Sequence, residues 1–103
     1  MAFVRLASTT EIKTGKMERF SHQGVRILIC HVEDDFYAVS ETCTHEDFSL
    51  YLGALHGEVV KCSLHGGKFN VKTGAPVEEP ACHALRTYPL ELRGSDIYVD
   101  IAE

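Results

Sequence analysis

Long apolar runs are missing from this 103-residue sequence. No stretch approaches the roughly 18 consecutive apolar residues that a membrane-crossing helix needs. The opening, "MAFVRLASTTEIKTG", has no apolar block of the kind a secretory leader carries. These absences lead to the expectation of a soluble, cytoplasmic chain without a membrane partner. Clustered positive charge is missing as well. Ten Lys and Arg stand against fifteen Asp and Glu, the net charge is -5, and the basic residues are scattered singly. Nucleic acid is therefore not an expected partner, because affinity for phosphates rests on grouped cations. An acidic surface favours basic protein partners and salt-sensitive encounters. Low-complexity tracts, long linkers and internal repeats are absent too, and helical signals are sparse.

What is present suits one small all-β domain, 1–103. "FVRLA" at 3–7 alternates apolar and polar residues, as a half-buried strand does. "VRILICHV" at 25–32 and "DDFYAVS" at 34–40 read as a hairpin turning near 33–35. "GEVVKC" leads up to Cys62, and "GKFNVKTG" leads away to Gly74. The tail "HALRTYPLELRGSDIYVDIA" reads as two strands turned at 94–96. Tyr88, Leu90 and Leu92 share one face, and Ile97, Val99 and Ile101 another. "STTE" at 8–11 resembles a capping box, compatible with a single helical turn.

Chemistry concentrates in two short stretches, "CTHEDFSL" at 43–50 and "CSLHGG" at 62–67. Cys43-x-His45 is followed, after sixteen intervening residues, by Cys62-x-x-His65. Cysteine alone is often a small core hydrophobe and histidine an ordinary polar group. The repeated pairing argues against coincidence. Two metal readings stay open at this point. Structural zinc accepts two Cys and two His, but the first pair is tightly spaced for two ligands on one ion. A 2Fe–2S cluster removes that difficulty, because Cys43 and Cys62 then bind one iron while His45 and His65 bind the other. Two ferric ions, two sulfides, two thiolates and two neutral imidazoles sum to zero charge, against -2 for an all-cysteine cluster, so the reduction potential is higher.

The pattern "CTH…CSLHG" resembles the signature of Rieske proteins. The chain length and "GAPVEEPACHALRTYPLELRGSDIYVDI" resemble the small Rieske ferredoxins of bacterial aromatic-ring-hydroxylating dioxygenase systems. That resemblance implies stacked antiparallel sheets with a small cluster-binding subdomain, about 42–68. It also implies a proline loop over the cluster, about 76–82, with Pro76 and Pro80 in it. The implied cofactor is one Rieske 2Fe–2S cluster, with Cys43, His45, Cys62 and His65 as metal ligands. The implied function is one-electron transfer, without catalysis, from an NAD(P)H-dependent flavoprotein reductase to a terminal oxygenase, by a protein expected to be a monomer. A small accessory subunit of another oxidoreductase complex, similar to that of nitrite reductase, is the alternative.

Respiratory Rieske proteins have a disulfide between the two cluster segments, at positions that here hold Phe48 and Leu64. They also place Ser and Tyr hydroxyls where this chain has Gly67 and Phe69. Losing those donors to the cluster sulfurs lowers the potential, to an expected value of about -150 mV. Gly66 and Gly67 suit a turn and a close backbone approach to the cluster. Glu46, Asp47, Glu78 and Glu79 read either as a solvated acidic surface or as a docking patch for a basic partner. Cys30 reads as a core residue and Cys82 as a neighbour of the cluster. His22, His31, His56 and His83 lack a paired cysteine and read as ordinary polar residues.

Overall fold

The strand Val25–Val32 sets the layering of the molecule. Its residues Ile27, Leu28, Ile29 and Cys30 are all buried, so both faces of the strand are covered. Side chains alternate across a strand, so two separate cores must meet there. They do: Leu28, Cys30 and Val32 enter one apolar cluster, while Ile27 and Ile29 enter another. The computed structural model describes residues 3–42, 49–63, 66–78 and 84–101.

Eleven strands occur among the described residues. They are β1 (Phe3–Ser8), β2 (Met17–His22), β3 (Val25–Val32), β4 (Asp35–Ser40), β5 (Ala54–His56), β6 (Val59–Lys61), β7 (Lys68–Asn70), β8 (Pro76–Glu78), β9 (Thr87–Tyr88), β10 (Leu90–Arg93) and β11 (Asp96–Asp100). They form three sheets, ordered β1-β11-β10, β2-β3-β4-β9 and β5-β6-β7-β8, with every pairing antiparallel. The all-β expectation is met. The β2–β4 sheet is the middle layer. One of its faces joins Ala7, Ile97 and Val99 of the first sheet, and the other joins Val60 and Phe69 of the third, with Val71 just after β7. No helix among the described residues is long and apolar enough to cross a membrane.

Local chemistry explains the joints. Gln23 and Gly24 link β2 to β3 with positive φ of 51° and 84°, the backbone of a two-residue hairpin turn whose twist matches the strands. Glu33 opens the β3–β4 turn at φ 54°. Ser8 caps a 3-10 turn, Thr9–Glu11. Its backbone N–H donates to the Glu11 carboxylate at 2.8 Å, as the capping box at 8–11 anticipates.

Several sequence readings change. The strand out of the second Cys/His stretch ends at Asn70, short of Gly74. The Asn70 side-chain oxygen accepts from the Lys72 N–H at 2.8 Å and turns the chain away. The tail holds three strands where two were expected. Proline has no N–H to give a ladder, and at Pro89 the chain leaves the middle sheet for the first. β9 pairs with β4, and β10 pairs with β11. Tyr88 and Leu90 pack onto the core beside Ile97, but Leu92 is exposed. Strands β2 and β5 and the 3-10 turn Leu50–Leu52 carry only weak local signals. Within the segment expected as a proline loop, Pro76–Glu78 is strand β8 beside β7, and 79–83 lie outside the described residues.

Candidate metal centre

Strands β6 and β7 form a hairpin, and Cys62 stands at the β6 side of its tip. Its last ladder pair is Lys61 with Lys68. Beyond that pair, the Cys62 N–H donates to the Gly67 carbonyl at 2.8 Å, and the Gly66 N–H donates to the Cys62 carbonyl at 2.9 Å. Gly66 takes φ 78°, a left-handed conformation that disfavours any residue with a Cβ. The pattern that brings Cys62 inward is simple. Val60 and Cys62 lie two residues apart on a strand running into the tip, so they face the same side. Both are buried, Cys62 at 2% exposure, in the cluster that also holds Leu50 and Phe69.

The other Cys/His segment is anchored on the same core. Thr42 and Ser49, on either side of 43–48, are antiparallel bridge partners. The Leu50 N–H donates to the Glu41 carbonyl at 2.7 Å. Leu50 is fully buried beside Cys62 and Phe69. Leu50, just after the first segment, and Cys62 of the second pair therefore share one apolar cluster. Cys43, His45 and His65 lie outside the described residues, as do Glu46, Asp47, Phe48, Leu64, Glu79 and Cys82. Among the described residues, no three His, Cys, Asp or Glu side chains converge on a metal position.

Glu41 is a site neighbour that sequence reasoning missed. It is a buried acid at 3% exposure, placed just before the first segment. Ser49 Oγ donates to its Oε2, and Arg26 reaches both carboxylate oxygens, Nε to Oε1 at 3.2 Å and Nη2 to Oε2 at 3.3 Å. Arg19 adds a longer contact at 3.8 Å. Burial pushes the Glu41 carboxyl up. The hydrogen bonds from Ser49 and Arg26, with the charges of Arg26 and Arg19, outweigh it and leave the group below its ordinary range. Nothing in the local sequence marks this glutamate, because its partners come from β2, β3 and Ser49.

Cys30 is a different kind of cysteine. It carries a free thiol, fully buried in β3, and burial pushes that thiol up to about 12. The core assignment made from the sequence holds. His31 Nδ1–H donates to the Ile12 carbonyl at 2.8 Å, and the ring stacks on Phe36. Phe69 is fully buried beside Cys62, so the position where respiratory relatives have a tyrosine hydroxyl is apolar here.

A family model for the Rieske [2Fe-2S] domain matches residues 2–89. The chain belongs to the Rieske [2Fe-2S] domain family. The biphenyl 2,3-dioxygenase ferredoxin component of Rhodococcus jostii (strain RHA1) is 41% identical over 101 residues, which cover 98% of this chain and 94% of that protein. Among solved structures, the ferredoxin of carbazole 1,9a-dioxygenase from Nocardioides aromaticivorans IC177 superposes with a TM-score of 0.91 at 33% identity, over 96% of this chain and 97% of its own. A chain in the complex of reduced oxygenase and oxidized ferredoxin in carbazole 1,9a-dioxygenase gives 0.90 at 34% identity, over 94% of this chain and 91% of that one.

The cofactor of this Rieske family is a [2Fe-2S] cluster. The donor chemistry of this member fits it. A cysteine sulfur sits at the inner side of a hairpin tip, shielded from water by Leu50, Val60 and Phe69. A thiolate in such surroundings needs a bound cation to balance it. The tip also places Gly66 and Gly67 immediately after His65, where they add no bulk.

Proposed function

We propose that this Rieske protein is a one-electron carrier, the ferredoxin component of an aromatic-ring-hydroxylating dioxygenase system. It receives electrons from an NAD(P)H-dependent flavoprotein reductase and delivers them to a terminal oxygenase, acting as a soluble cytoplasmic monomer. Full-length similarity to the biphenyl dioxygenase ferredoxin supports the class. The observation that carries the reading is the burial of Cys62 in the same apolar cluster as Leu50, which roots both Cys/His segments on one core.

In this reading Cys43 and Cys62 hold one iron, and His45 and His65 hold the other. The cluster, when bound, stores the single transferred electron. The chain supplies the surroundings. Leu50, Val60 and Phe69 exclude water from the Cys62 side. The reciprocal bonds between Cys62 and the residues 66–67 keep the tip narrow, and the Thr42–Ser49 bridge does the same for the first segment. Phe69 and Gly67 place no hydroxyl near the cluster, which supports a potential at the low end for the type, about -150 mV. Such a value suits an electron arriving from a reduced flavin. The cluster-binding unit in this proposal spans about 42–68, with the proline segment 76–82 against it.

The test is anaerobic purification followed by iron and acid-labile sulfide analysis and electron paramagnetic resonance of the reduced protein. A mixed Cys/His cluster signal is expected, with reduction by a biphenyl-type reductase and NADH and reoxidation on adding its oxygenase. Folded protein that takes up zinc, or that shows an all-cysteine spectrum, would contradict the ligand set. A normal cluster that the reductase cannot reduce would contradict the carrier role.

A further inference from the structure

Glu41 is bonded across the stem of the first Cys/His segment. Its carboxylate accepts from Ser49 Oγ, which lies on the far side of residues 43–48. Its carbonyl accepts from the Leu50 N–H at 2.7 Å. Its side chain is also held from β2 and β3, by Arg19 and Arg26. Arg19 in turn lies over the Tyr51 ring, 4.8 Å from its centre. The Ser49 hydroxyl has a second role, accepting from the Tyr51 N–H at 3.3 Å at the start of the 3-10 turn Leu50–Leu52. One buried carboxylate thus joins both ends of the segment to the middle sheet.

Such an arrangement resists separation. Among the described residues, no buried side-chain oxygen or nitrogen lacks a partner. Drawing Ser49 away from Glu41 would leave a buried charge short of a donor, and an unmet buried charge costs far more than a bond gained at the surface. The two Arg head groups are half exposed, so they anchor the carboxylate without themselves requiring burial. Groups just outside a metal site commonly fix the orientation of its ligands in this way.

We propose that Glu41 and Ser49 act as a clasp that sets the separation between the two ends of segment 43–48, making them positioning residues for the first thiolate–imidazole pair. The idea rests on the reading of Cys43 and His45 as ligands. The clasp itself is built only from described residues, so it has a readout independent of that reading.

The experiment compares cluster-loaded wild type with Ser49→Ala, Ser49→Thr, Glu41→Gln and the double variant Glu41→Gln/Ser49→Ala. Three quantities are measured: the rate of cluster bleaching in excess ferrous-iron chelator, amide hydrogen exchange at Leu50 against Leu28 and Ile29, and the urea midpoint. Ser49→Ala and Glu41→Gln are expected to lose the cluster about tenfold faster, equivalent to about 1.4 kcal/mol. The Leu50 amide should exchange faster by a similar factor while Leu28 and Ile29 stay protected. Ser49→Thr, which keeps the hydroxyl, should restore wild-type rates. The double variant should be no worse than Glu41→Gln alone, because the two side chains act as one unit. Wild-type bleaching and Leu50 exchange in both single variants would overturn the proposal. Equal acceleration at Leu50, Leu28 and Ile29 would also overturn it, by reducing the effect to general instability. If the wild type itself assembles no cluster, the ligand reading fails, and Leu50 exchange still decides on the clasp.

Discussion

Leu50 and Leu52 lie two residues apart on one 3-10 turn, yet their surroundings are opposite. Leu50 is completely buried against Cys62, Val60 and Phe69, whereas Leu52 is 57% exposed. Truncating each to alanine therefore separates packing from side-chain chemistry. Leu50→Ala removes buried carbon worth about 0.8 kcal/mol per methylene equivalent, so the transfer loss alone is about 2.4 kcal/mol. The cavity left behind adds to it, and comparable core truncations cost about 3–5 kcal/mol. The expected loss is about 3–4 kcal/mol. For a domain of this length each kcal/mol moves the melting temperature by about 4–8 °C, so the shift is roughly 12–32 °C. Leu52→Ala should stay within about 0.5 kcal/mol of wild type. Urea unfolding of the cluster-loaded proteins, followed by far-ultraviolet circular dichroism under anaerobic conditions, measures both. Equal losses for the two variants, or a loss below about 1 kcal/mol for Leu50→Ala, would refute the argument that both Cys/His segments are rooted on one tightly packed core.

Three further outcomes are expected. Gly74 has φ 80° and an added Cβ would lie 2.3 Å from the Leu85 carbonyl oxygen, whereas Gly15 has φ 82° with nothing within 4 Å. Gly74→Ala should thus cost more than about 3 kcal/mol and Gly15→Ala only about 1–2 kcal/mol in urea unfolding; equal costs would refute the close-approach argument. Glu58 accepts from Asn70 Nδ2 at 2.7 Å and pairs with Lys72 at 3.3 Å, and these contacts hold its carboxyl below the ordinary range, the Asn70 bond most strongly. Its contribution is complete above the unfolded-state value and is lost as pH falls through the lower folded value, so the urea-midpoint gap between wild type and Glu58→Gln should shrink on acidification. A gap that widens toward acid would show the sign to be wrong. Finally, the Cys30 thiol, pushed up to about 12 by burial, should resist iodoacetamide at neutral pH until denaturant is added, as peptide mass spectrometry would show. Rapid labelling of the folded protein would place Cys30 outside the core.

The parts of the fold that were legible are those written in nearby residues. Ser8 and Glu11 announce a capped turn, and the structure contains it. The apolar alternation at 3–7 and 97–101 announces β1 and β11, and the β-branched run at 25–32 announces β3. The misreadings have local causes that depend on distant partners. Pro89 sends the chain from one sheet to another, which matters only because β4 and β11 wait on either side. β2, "MERFSH", has little apolar character and becomes a strand through its full pairing with β3. β5 and β8 are three residues each, too short to show a period.

The sequence by itself determined the chemistry: two thiol–imidazole pairs at a spacing that suits two irons, an acidic balance, and a strand-rich pattern with no room for a long apolar helix. Side-chain type and short-range periodicity are properties of neighbouring residues, so they survive without coordinates. Only the tertiary structure decided that β3 is covered on both faces, that Cys62 and Leu50 share one apolar cluster, and that Glu41 is a buried, fully bonded acid rather than a solvated one. Those outcomes depend on contacts between residues far apart in the chain, whose free energy exists only once the sheets have stacked.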